Sequence, residues 1–160
     1  MKMVKPTTRL TTMKVLHRCA DMSILEQVTQ TEAVLETSQN LKDVLTELRS
    51  AGYFAVLVDR APVFNKDTLL HALYQSCVFP AYFGFNWDAL IDTLIDFFWL
   101  DRSGQEVSGY VLVFRRFTVL ETRSDTVSKT FLEIIQDVAK RRQDKNRPPL
   151  KVVLIRDQEV

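Results

Sequence analysis

Tyr53-Phe54-Ala55-Val56-Leu57-Val58, closed by Asp59 and Arg60, is an unbroken apolar run. A strand with one wet face alternates apolar with polar residues, so a short unbroken run rich in β-branched and aromatic types reads as a strand covered on both sides. Two more runs of this kind follow, Tyr110 to Phe114 (YVLVF) and Val152 to Ile155 (VVLI). The segments around them carry helical periodicity. Leu41, Val44, Leu45 and Leu48 form one stripe, with Ser38 as N-cap and Gly52 placed to end the helix. Leu69, Leu70, Leu73, Tyr74 and Cys77 form a second, entered near Asn65 and Asp67 and stopped by Pro80, whose ring cannot continue a helix. A third stripe is Trp87, Leu90, Ile91, Leu94, Ile95 and Phe98, capped by Asn86, and a fourth is Phe131, Leu132, Ile135, Val138 and Ala139.

Strands alternating with helices predict an α/β fold: a small three-stranded parallel sheet flanked by helices, with a helical N-terminal extension. Residues 1–50 are read as that extension, helical over 38–51, and residues 52–160 as the α/β domain. Within the extension, Met13, Val15 and Leu16 suggest a strand, and Ile24, Leu25 and Val28 a weak helix. Gly104 and Gly109 bracket a turn before the second strand run.

Composition narrows the function. The net charge of +1 favours no partner by itself. Cys19 and Cys77 lie far apart, without metal-ligand spacing and too few for a disulfide scaffold, which reads as reduced thiols in a cytoplasmic protein. No signal-peptide run or membrane-length apolar stretch occurs. His17 and His71 read as surface or structural histidines, and no phosphate-cradling glycine loop, nucleophile elbow or zinc spacing is present. The inventory predicts no enzyme, no cofactor and no metal site.

One segment stands apart. From Asp67 to Asp101 there is no Lys or Arg, while Asp67, Asp88, Asp92, Asp96 and Asp101 supply five carboxylates. Asp88, Asp92 and Asp96 are spaced four apart, and each such step turns the side chain only about 40° further round a helix. The three therefore stack on one face, away from Leu90, Leu94 and Phe98. Like charges at this spacing cost a helix about 0.2–0.5 kcal/mol per pair. A solvated face is the ordinary explanation of such a row, but the preceding loop adds Tyr82, Phe83 and Phe85 where turns are usually polar. Aromatics beside charges on a loop against a rigid helix make an interface, with one of them, Phe83, expected to fold onto the core. Gly84 is expected to supply a positive φ in this loop.

The run Pro80-Ala81-Tyr82-Phe83-Gly84-Phe85-Asn86-Trp87-Asp88-Ala89-Leu90-Ile91-Asp92 closely resembles the signature of the barstar family, intracellular inhibitors of the ribonuclease barnase. The resemblance extends in order over residues 52–157. It takes in Phe114-Arg115-Arg116-Phe117 after the second strand run and a helix over 128–142. It implies a three-stranded parallel sheet and an inhibitor, or immunity protein, that inserts its acidic helix and aromatic loop into the basic cleft of a ribonuclease or related toxin. By the same resemblance Tyr82, Gly84, Asn86, Asp88 and Asp92 bind the partner, and the aromatic loop and acidic row add Phe83, Phe85 and Asp96 as partner-binding candidates. Asp92 would stand where a substrate phosphate sits, and Asp137, on the last helix, would make a further contact. The chain departs from the family at Ile91, where tryptophan is frequent, and at Ala81 and Phe85, where the inhibitor has acids. The competing reading is an RNA-binding module built on Lys140, Arg141, Arg142, Lys145, Arg147 and Lys151, joined by Arg115 and Arg116. Its ordinary explanation is a helix C-terminus whose dipole favours cations.

Overall fold

The computed structural model describes residues 23–96 and 106–156. In chain order the elements are α1 (Ile24–Val28), β1 (Val34–Thr37), α2 (Leu41–Ser50), β2 (Tyr53–Leu57), α3 (Lys66–Ser76), α4 (Trp87–Asp96), β3 (Gly109–Phe114), α5 (Phe117–Arg123), α6 (Asp125–Asp144) and β4 (Leu150–Ile155). The strands form one parallel sheet in the order β1-β4-β3-β2. The suggested strand at 13–16, His17, Cys19, Phe98, Asp101 and Gly104 lie outside the described residues.

The sheet thus has four strands and not the three expected. The additional strand is β1, which runs beside β4 from Val34↔Val152 to Thr37↔Ile155. It escaped the reading because it is short and half polar, with only Leu35 and Thr37 buried, as suits a strand at a sheet edge. The weak helix at Ile24 is present as α1, opened by a capping box between Ser23 and Glu26. α2 is capped by Asn40, whose side chain accepts the Asp43 N–H at 2.9 Å, and not by Ser38.

Every residue of β3 and β4 is buried, and parity sorts their side chains between two layers. Tyr110, Leu112, Phe114, Leu150, Val152 and Leu154 face the larger core with α3, α4, α5 and α6. Val111, Val113, Val153 and Ile155 face a smaller core closed by Ile24 and Val28 of α1 and Val44 and Leu48 of α2. Coverage on both faces is why the strand runs lack alternation. α5 had no counterpart in the periodicity. Its Phe117 meets Phe114 edge-on at 5.2 Å, and Phe114 meets Phe131 of α6 in the same way at 5.6 Å.

Lys151 is buried in β4 and donates Nζ to the carbonyls of Gln30 at 2.6 Å and Glu32 at 2.5 Å, pinning the α1–β1 connection to the sheet. Burial lowers its pKa, and the nearby Glu32 carboxylate acts in the opposite sense. Among the described residues no helix is long and apolar enough to cross a membrane.

Candidate partner-binding surface

The turn from α3 to α4 is built by an unusual helix end. Val78 has φ 55°, and the N–H of Phe79 reaches back to the Tyr74 carbonyl at 3.0 Å, the six-to-one bond of a left-handed C-terminal motif. Glycine is the usual residue there, since a β-branched side chain at positive φ is strained. Val78 is nonetheless 66% exposed and Tyr82 is 76% exposed. Sequence periodicity assigned Val78 no role. The signal available was its place just after the last helical residue and before Phe79-Pro80.

Next to each of these two exposed side chains the loop is anchored inward. Phe79 and Phe83 are buried, with rings 4.9 Å apart. Phe83 also stacks on Tyr74 and meets Phe85 edge-on at 4.9 Å. Phe83 therefore holds the loop to the core and presents no free face. Phe85 is half-buried and lies on His71, ring centres 4.4 Å apart. His71 Nδ1 is 2.9 Å from the Asp67 carbonyl oxygen, so its surroundings are those of a surface histidine held by its own helix. The positive φ expected of Gly84 falls instead on Phe85, at 52°. What Gly84 provides is room: a Cβ there would lie 3.3 Å from Asn86 Nδ2.

Asn86 opens α4. Its Oδ1 accepts the Ala89 N–H at 2.8 Å, and its Nδ2 donates to the Gly84 carbonyl at 3.3 Å. Both ends of the amide serve the loop, so Asn86 shapes the surface from within this chain. Leu90, Leu94 and Ile95 bury the inner face of α4, which leaves Asp88 and Asp92 exposed one turn apart on the outer face. Among the described residues neither carboxylate has an ion-pair or hydrogen-bond partner.

Asp96 differs from them. It pairs with Arg147 at 3.0 Å, and the same guanidinium bonds the Asp96 carbonyl at 3.4 Å. Among the described residues the acidic row on α4 is thus two unpaired carboxylates and one neutralised by Arg147. Asp137 lies on α6, the helix packed along α4, and pairs with Arg141 at 3.0 Å, both side chains about half exposed. Such an i,i+4 pair is worth only about 0.3–0.5 kcal/mol and is readily exchanged for another cation.

Of the six cations in the basic cluster two are buried and two more are paired within the chain, while Lys140 and Lys145 are exposed. Arg142 is 1% exposed, donates to the carbonyls of Leu94, Ile95 and Pro148, and lies 4.9 Å over the Tyr110 ring. Lys151 is buried, Arg147 holds Asp96 and Arg141 holds Asp137. Arg115 and Arg116 do not join them. They follow the C-terminal end of β3, whereas Arg142 to Lys151 lie where α6 returns to the start of β4, at the opposite end of a parallel sheet.

No curated protein matches the sequence. The family model described as Barstar (barnase inhibitor) matches residues 53–155, which includes β2 to β4, the 80–86 loop and the acidic helix. With well over half of its length matched, the chain belongs to the barstar family.

Proposed function

We propose that this chain is a non-enzymatic inhibitor, the cytoplasmic immunity partner of a basic ribonuclease or related toxin. The observation that carries the reading is the pair Asp88 and Asp92, exposed and without partners among the described residues, on the helix that follows the loop of the exposed Tyr82. A ribonuclease cleft uses Arg, Lys and His to hold phosphate. Carboxylates one helical turn apart can take the same charge-assisted hydrogen bonds and offer no bond to cleave. Asp92 sits deepest in that cleft, Asp88 and Tyr82 beside it, and Asp137 exchanges Arg141 for a cation of the target. Phe83, Gly84 and Asn86 fix the loop that aims these groups. Attraction between the acidic face and a basic cleft speeds encounter and makes it salt-sensitive.

The RNA-binding alternative loses support from the burial of Arg142 and Lys151 and the internal pairing of Arg141 and Arg147. The test is RNA cleavage by barnase, and by any secreted nuclease encoded beside this gene, titrated with the purified chain. Stoichiometric inhibition of either enzyme that fails with Asp92→Ala is the expected result. Undiminished cleavage by both enzymes at saturating wild-type chain overturns the proposal.

A further inference from the structure

Most arginines among the described residues are spoken for. Arg49 bonds the Ala55 carbonyl through Nε and Nη2, and Arg123 lies over the Phe64 ring. Arg141, Arg147 and Arg156 are in ion pairs, and Arg142 is bonded to three carbonyls. Three guanidinium groups remain with no hydrogen bond, ion pair or ring contact among the described residues: those of Arg60, Arg115 and Arg116. These three arginines are among the residues that line one cavity of about 100 Å³, where β2 and β3 end beside α5.

The cavity is built from a pinned backbone. Asp59 is buried, and its two carboxylate oxygens accept the backbone N–H of Arg115 at 3.0 Å and of Arg116 at 2.7 Å. The one acid in the wall is thereby occupied with amides, and the wall's residues include three arginines against that one acid. Arg115 Nε is fully buried and has no hydrogen-bond partner. An orphaned donor of this kind costs about 1–3 kcal/mol, and more when charged, so it calls for a missing acceptor. The volume is several times the roughly 10–15 Å³ a single water needs. In open α/β sheets the region beyond the carboxyl ends of the strands is where ligands bind.

We infer that the cavity between the ends of β2 and β3 binds a tetrahedral oxyanion, the phosphate group either free or carried by a small phosphate monoester. Guanidinium groups match phosphate with paired N–H donors, and three of them suit its several oxygens and its charge better than a single planar carboxylate. The site uses none of Tyr82, Asp88 or Asp92 and is independent of toxin binding.

The test is calorimetric titration of the full chain with inorganic phosphate and, separately, with adenosine 5′-monophosphate, against chloride at matched ionic strength. Saturable binding of at least one phosphate compound is expected, along with a rise in melting temperature that chloride does not reproduce. Tighter binding of the nucleotide assigns the phosphate to an ester, and equal or weaker binding assigns it to the free anion. Arg115→Lys keeps the charge but removes Nε, and should lower affinity about tenfold. The exposed Arg116→Gln should weaken binding without altering the fold, and Asp92→Ala should leave it unchanged. Identical responses to phosphate and chloride, or full affinity in both arginine variants, overturn the inference.

Discussion

Arg142 of α6 donates Nη1 to the carbonyl oxygen of Ile95 at 2.6 Å, so the last described turn of the acidic helix is held by a buried cation from its neighbour. The same Nη1 reaches the Leu94 carbonyl at 3.1 Å, and Nε reaches that of Pro148 at 2.8 Å. Leu94 and Ile95 lie in the last described turn of α4, and Pro148 lies in the loop before β4. Arg142 therefore ties the last described turn of α4 to α6.

Arg142→Met should lower stability by roughly 3–5 kcal/mol, because buried carbonyls lose their donor and the cation over Tyr110 is lost. Urea denaturation monitored by circular dichroism measures this. A loss below about 1 kcal/mol would show that the three carbonyls find other donors.

On the proposed surface, Asp92→Ala should weaken toxin binding by at least about 2 kcal/mol, the usual cost of removing one member of a desolvated charge pair. Tyr82→Ala should weaken binding while leaving the melting temperature unchanged, since the side chain is mostly solvated. Asp96→Ala should cost the complex much less than Asp92→Ala, because Asp96 is paired with Arg147. Surface plasmon resonance at two salt concentrations separates these cases. Equal losses at Asp92 and Asp96 would mean that Arg147 releases its partner on binding.

Val78→Gly should stabilise the free protein by about 0.5–1.5 kcal/mol, since relief of the left-handed strain exceeds the added entropy of the unfolded chain. Thermal melts of the two proteins decide it. A destabilised glycine variant would place the benefit of Val78 in contacts of its side chain and not in its backbone.

Cys77 is fully buried, and burial pushes its thiol from 9.0 up to about 12. Its folded pKa lies above its unfolded one, so this contribution to stability is intact below pH 9.0 and declines as the unfolded chain ionises, up to about pH 12. The slope is about 1.4 kcal/mol per pH unit. Lys151, lowered by burial, works in the opposite direction below its ordinary value of 10.5. Cys77→Ala should lose its stability less steeply above pH 9.0 than the wild type. Parallel pH profiles for the two proteins would falsify the assignment of this slope to Cys77.

The strand runs at 53, 110 and 152 were legible because burial on both faces leaves an unbroken apolar word in the sequence. The stripes of α2, α3, α4 and α6 were legible because each buries one side only. β1 was not, since an edge strand of four residues with Glu36 and Thr37 carries no such signature. α5 is a two-turn element held by Phe117 and Leu120, too short for periodicity to register. At the surface, the acidic spacing identified Asp88 and Asp92, but it could not reveal that Asp96 meets Arg147 across 51 positions. Nor could it place Arg142 inside the molecule, because a basic helix end looks the same whether its cations are solvated or buried.

β1 occupies the flank of β4 with residues that precede the family-matched segment. A fragment starting at residue 52 would leave the whole hydrogen-bonding rim of β4 open. It would also bare Val111, Val113, Val153 and Ile155, which α1 and α2 otherwise cover. An unprotected rim beside an apolar sheet face recruits other chains by strand addition. Such a fragment should form β-rich aggregates where the full chain stays monodisperse.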